Sequence, residues 1–151
     1  GEGAFSFVFK GRSTDHREEY AIKKVIIQSG AIAQGVKSEI DSLKRFAHPH
    51  VIPLIDCVHV NEGKSKIAYM LFPLAANGTL RDELTAQLDD PERPRHTINR
   101  VLSDFLCILD ALRFMHEFAD TSYVHFDIKP EVFWMRKDPC SIVRCVSLAC
   151  S

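Results

Sequence analysis

Residues 98–119, INRVLSDFLCILDALRFMHEFA, constrain the fold more than any other stretch of this chain. Leu102, Phe105, Leu109, Leu112 and Met115 with His116 recur at helical spacing along one stripe. A stripe of that kind is stable only against another apolar surface, so the spacing predicts a helix buried along most of its length. Such a helix belongs in a layered domain rather than on its own.

The first half of the chain has a different period. Phe5–Gly11 (FSFVFKG) alternates and stops at a glycine, STDH is polar, and Glu19–Ile27 (EYAIKKVII) is a second strand-like run. Two such runs joined by a polar turn predict an antiparallel hairpin. After the connection QSGAIAQG, Val36–Ala47 carries Val36, Ile40 and Leu43 at helical spacing, and HPH (48–50) ends that helix. Two further strand-like runs, 51–60 and 66–72, flank the turn NEGK. Pro53 lacks an N–H and moves the first of them towards a sheet edge. A short helix over 79–88 and a Pro-broken polar loop, DDPERPR, then lead to the long helix. Strands with one helix, followed by helices, indicate an α+β fold in two lobes.

Composition narrows the classes of function. Of 151 residues 46% are hydrophobic and 26% charged, which excludes wholesale disorder. A formal net charge of −1 leaves no global footprint for nucleic acid or an acidic membrane. No apolar run approaches the ~18 residues of a membrane span. No secretory h-region or initiator Met stands at the start of the sequence, and Gly1 as first residue suggests a fragment or a processed piece. Its five cysteines, Cys57, Cys107, Cys140, Cys145 and Cys150, suit a reducing, intracellular compartment. Cys140, Cys145 and Cys150 are spaced by five, unlike a zinc knuckle, and the histidines of HPH read better as a helix stop than as metal ligands.

Three local signals carry chemistry. Gly1 and Gly3 in GEGAFSFV sit on a turn between strands, where backbone N–H groups can approach a polyphosphate; a tight hairpin explains them equally. In YAIKKVII one of Lys23 and Lys24 has to point inward, and an inward ammonium needs an anion, for which Glu39 is the natural partner; a solvated strand edge is the alternative. The third is YVHFDIKPEVFW (123–134), with Asp127, Lys129 and Pro130 at the spacing of a phosphoryl-transfer loop.

Taken in order, G-x-G-x-F-S-x-V, A-I-K, a helical Glu, HPHVIPL, a hydrophobic hinge strand and HFDIKPE resemble the eukaryotic protein kinase family. The wording of GEGAFSFV, HPHVIPLI, LFPLAANGTL and DIKP is most like the Numb-associated kinases, in particular their small lipid-anchored member. The resemblance covers nearly the whole chain and weakens after about Glu131. It implies a kinase-like α+β fold: an antiparallel β N-lobe with one helix over 1–72, a hinge at 73–78, and the start of a truncated helical C-lobe over 79–151.

It also implies roles. Gly1, Gly3 and Val8 would cover the nucleotide and Ala21 would touch adenine. Lys23 would bind the α- and β-phosphates and pair with Glu39. Phe72 would be the gatekeeper, and the backbone of Pro73 and Ala75 would bond the adenine edge. Asp127 would accept the substrate hydroxyl's proton, with Lys129 marking the Ser/Thr branch and His125 packed as a structural group. ATP, with magnesium, is the implied cofactor, and a protein substrate or scaffold partner the implied macromolecule, with no nucleic acid. An intracellular, cytoplasmic location follows, leaving room for peripheral membrane or Golgi attachment of a longer protein.

Four positions depart from the family pattern. Phe126 replaces an Arg that serves regulation. Val132 stands where the metal-ligating Asn belongs, and an isopropyl group offers magnesium no oxygen. The D-F-G position falls on Cys145-Val146-Ser147 or Ser147-Leu148-Ala149, neither of which holds an acid. Trp134 replaces a modest aliphatic residue on the adenine floor. Three readings therefore stand: an ATP-dependent Ser/Thr kinase, a pseudokinase that acts as a binding or scaffold module, and a truncated product without a stable fold.

Overall fold

The computed structural model describes residues 6–15, 17–63, 65–75, 77–118, 123–125, 128–135 and 144–145. Two compact units emerge. The first takes residues 6–46 and 53–74, the second 47–52 and the described residues from 75 onward.

The first unit is an antiparallel sheet with one helix. Strands β1 (Ser6–Arg12), β2 (Glu19–Ile27), β3 (Asp56–Glu62) and β4 (Ser65–Pro73) lie in the order β1-β2-β4-β3. The β1–β2 hairpin is in register from Ser6 opposite Val25 to Arg12 opposite Glu19. At Gly11 a Cβ would sit 2.5 Å from Ile22 Cδ1, so any larger residue there needs the end of that side chain to shift. The β3–β4 turn uses Gly63 at φ 62°, in the left-handed region. Ala21, Lys23 and Val25 share one face of β2, opposite Phe72, Met70 and Ala68 of β4. That face packs with Val36, Ile40 and Leu43 of helix α1 (Gly30–Arg45) as the core of this unit.

Helix α1 starts six residues earlier than its apolar spacing predicts. Ser29 explains the difference: its side chain accepts from Ile32 N–H and caps the first turn, which lets the Ala-rich GAIAQG join despite two glycines. The run at 51–60 begins as a strand only at Asp56, on the edge of the sheet. Pro53 lies just before it, and Val51 and Ile52 are buried in the second unit instead.

The second unit contains helices α2 (Leu80–Asp89) and α3 (Ile98–His116), a 3-10 turn at Pro130–Val132, and a short pair of strands, β5 (Phe133–Trp134) with β6 (Arg144–Cys145). Thr79 opens α2 with a complete capping box: its side chain accepts from Asp82 N–H while the Asp82 carboxylate accepts from Thr79 N–H. Helix α3 buries Asp104, Ala111 and Met115. Leu102, Phe105 and Leu109, expected inside, are about half exposed at 54%, 55% and 45%. Among the described residues the first half of the stripe is therefore only partly covered while Met115 near its end is buried, a correction to the expected burial along most of the helix.

Candidate active site

The residues that the first unit brings together are set by strand alternation. Because β2 side chains alternate, Lys23 and Lys24 cannot share a face. Lys23 rises from the apolar surface formed by Ala21, Met70 and Phe72, and its side chain is only 14% exposed. Its Nζ lies 2.6 Å from Glu39 Oε1 on α1, a carboxylate equally withdrawn from water. Glu39 is held there by its neighbours Val36, Ile40 and Leu43, which fix the rotation of the helix. Lys24 points the other way, over the Tyr69 ring, with Nζ 3.5 Å from Glu62 Oε2. The Tyr69 hydroxyl and the Glu62 carboxylate hold the Lys24 ammonium above its ordinary range. Val8 of β1 is opposite Lys23 and more than half exposed, and Pro73 closes β4 opposite Tyr20.

In the second unit, Lys129 is exposed, and its carbonyl accepts from Val132 N–H at 3.1 Å to close the 3-10 turn. Glu131 is bonded to Arg81 Nε of α2 at 2.9 Å, and that guanidinium keeps its carboxyl below the usual range. Val132 is 8% exposed and packs with Phe133, Leu80 and Ile108. Trp134 is half-buried and bridges to Thr79, while Met135 N–H donates to Gly78 O at 2.9 Å. His125 is buried, and Ala75 O accepts from Gly78 N–H at 3.3 Å. Gly1, Gly3, Phe126 and Asp127 lie outside the described residues, as does the tail around 145–149 apart from the backbone of Cys145.

Two pairings escape any reading of local sequence. Arg81 meets Glu131 across fifty residues of chain. His48 Nε2 approaches Asp110 Oδ2 at 3.2 Å while its ring stacks on Phe114. His48 Nδ1 accepts from His50 N–H, so the HPH segment is tied to α3 as well as ending α1.

A model of the protein kinase domain matches residues 1–140. The chain belongs to the protein kinase domain family. Its relatives include a probable serine/threonine-protein kinase of Dictyostelium discoideum, 30% identical over 86% of this chain and 36% of that protein. Serine/threonine-protein kinase atg1 of Aspergillus niger is 31% identical over 87% of this chain and 14% of its own length. Serine/threonine-protein kinase H1 of Homo sapiens is 31% identical over 87% and 28%. This kinase-family chain thus spans well under two thirds of the curated relatives it matches.

Kinase chemistry in general uses ATP and magnesium. The residues described here do not fit a magnesium site: Val132 presents a buried isopropyl group at the position expected to ligate, enclosed by three other apolar side chains. Among the described residues no three His, Cys, Asp or Glu side chains converge to hold a metal ion. No described helix is long and apolar enough to cross a membrane.

Proposed function

We propose that this chain is a nucleotide-binding domain of the Ser/Thr protein kinase family in which phosphoryl transfer is impaired. The observation that carries the proposal is the burial of Val132 among Leu80, Ile108 and Phe133. Phosphoryl transfer is almost entirely positioning and charge neutralisation. Removing one preorganised electrostatic group commonly costs about 10²–10³ in rate. The acid-free sequence at the second metal-binding position compounds the loss.

Nucleotide binding draws support from the other unit. Lys23, fixed by Glu39 above Ala21 and Phe72, offers an ordered ammonium beside an apolar surface, the pairing an adenine nucleotide requires. In this reading Val8, Ala21, Phe72, Pro73 and Ala75 contact the nucleotide together with Gly1 and Gly3, and Asp127 and Lys129 face the acceptor. The N-lobe then runs over 1–72, the hinge over 73–78 and the start of the C-lobe over 79–151. The Numb-associated branch, with an intracellular protein partner, is the finer assignment we favour on the wording of its motifs. The named relatives favour a second reading, a working Ser/Thr kinase.

Thermal unfolding with and without ATP and magnesium, alongside radiolabelled phosphate transfer, separates the two. ATP at 100-fold its Kd should stabilise the fold by about 2.7 kcal/mol. We expect that shift without magnesium and no increase when magnesium is added. Phosphate transfer that is lost in Asp127→Ala would overturn the impaired reading.

A further inference from the structure

The chain holds three asparagines, Asn61, Asn77 and Asn99. Asn61 lies in β3, opposite Lys66, and Glu62 follows it. Asn99 lies in the first turn of α3, and the N–H of the following Arg100 donates to the Thr97 hydroxyl. Asn77 is placed differently. It is exposed, sits in a turn outside any helix or strand, and is followed by Gly78.

The side-chain Cγ of an asparagine and the backbone nitrogen of the next residue can close a five-membered ring. A following side chain crowds that nitrogen, and a backbone locked in regular hydrogen bonding cannot turn towards it. Neither obstacle stands at Asn77. Gly78 has no side chain and adopts φ 70°. Its N–H reaches Ala75 O at 3.3 Å, longer than an ordinary N–H···O bond. The firm contacts of this turn lie beyond the Gly78 α-carbon: its carbonyl accepts from Met135 N–H at 2.9 Å, and Thr79 N–H donates to Asp82 Oδ2 at 2.7 Å. The peptide plane between Asn77 and Gly78 can therefore turn without breaking either. The Asn77 carboxamide has no hydrogen-bond partner among the described residues.

We propose that Asn77 is a spontaneous modification site of the folded chain, where deamidation through a succinimide reworks the turn leading into α2. Solvent base takes the Gly78 amide proton and the nitrogen attacks Asn77 Cγ. The new C–N bond closes the ring, and the Cγ–Nδ2 bond breaks to release ammonia. Water then opens the ring at one of its two carbonyls, leaving aspartate or isoaspartate. Either product adds a negative charge to a chain whose formal net charge is −1. The isoaspartyl form also routes the main chain through an extra methylene and so displaces Gly78. A Cβ on Gly78 would already lie 2.7 Å from Asp82 Oδ2, so displacement there disturbs the carboxylate that caps α2. The proposal does not depend on nucleotide binding.

The test is timed incubation of the 151-residue chain in mildly alkaline buffer, followed by peptide mapping in a mass spectrometer and enzymatic methylation of isoaspartyl groups. A gain of one dalton at Asn77, faster at higher pH, is expected, with Asn61 and Asn99 unchanged. The folded chain should convert within about tenfold of the rate of the free peptide Ala-Ala-Asn-Gly-Thr-Leu, because a locally open turn protects little. Converted protein should melt at a lower temperature than Asn77→Asp, which adds the charge without lengthening the main chain. A folded chain that stays unmodified while the peptide converts overturns the proposal. So does conversion of Asn61 or Asn99 as fast as that of Asn77. Converted protein that melts with Asn77→Asp overturns the effect on α2.

Discussion

The ammonium of Lys23 and the carboxylate of Glu39 meet at 2.6 Å between β2 and α1, each withdrawn from water and each the other's counter-ion. Removing one partner strands a buried charge, which costs about 3–5 kcal/mol, whereas replacing both with apolar groups is often neutral. Glu39→Ala should therefore lower the midpoint of chemical denaturation markedly. Lys23→Met combined with Glu39→Leu should restore most of the loss while abolishing any ATP-induced shift. A double variant as unstable as the single one would show that the pair is not the unit of stability here.

Val132→Asn tests the enclosed site of the second unit. An amide placed among Leu80, Ile108 and Phe133 loses hydration, so a destabilisation of about 1–3 kcal/mol is expected. The substitution alone should leave phosphate transfer undetectable, because the tail still supplies no acid at the second position. Detectable transfer by this single variant would mean that only one ligand had been lacking.

The capping box of α2 has an acid dependence of known sign. The Thr79 N–H and hydroxyl hold the Asp82 carboxyl below its ordinary value of 3.8. A depressed folded-state value stabilises the protein above the unfolded value, and that contribution is lost as pH falls through the folded one. Asp82→Asn should therefore narrow its deficit against the unmodified chain as pH drops below about 4. Thr79→Ala should cost about 1 kcal/mol at neutral pH in urea titrations.

Gly78 and Gly63 form a matched pair of turn positions, at φ 70° and 62°. A Cβ at Gly63 would meet nothing within 4 Å, whereas one at Gly78 would lie 2.7 Å from Asp82 Oδ2. Gly63→Ala should cost about 1 kcal/mol for its backbone alone. Gly78→Ala should cost more, since it also displaces the capping carboxylate. Equal losses in melting temperature would show that the Asp82 side chain yields freely.

Much of this was readable before any coordinates, because it depends on neighbours in the chain. Strand period placed β2 at Glu19–Ile27, the short helix expected over 79–88 is α2 at Leu80–Asp89, and the order of motifs from GEG to HFDIKPE placed the family. Position 132 is a matter of residue type, and valine has no donor in any fold. Other features required distant segments to meet. Whether Lys23 or Lys24 faced α1 was open until register and alternation separated them. The extension of α1 to Gly30 turned on the Ser29 cap outweighing two glycines. Arg81–Glu131 and His48–Asp110 have no local signature, because packing rather than spacing brought them together. The periodic stripe of α3 determined that the helix forms but not that it is buried. Burial depends on which surface arrives, and Phe105 and Leu109 remain half in water among the residues described.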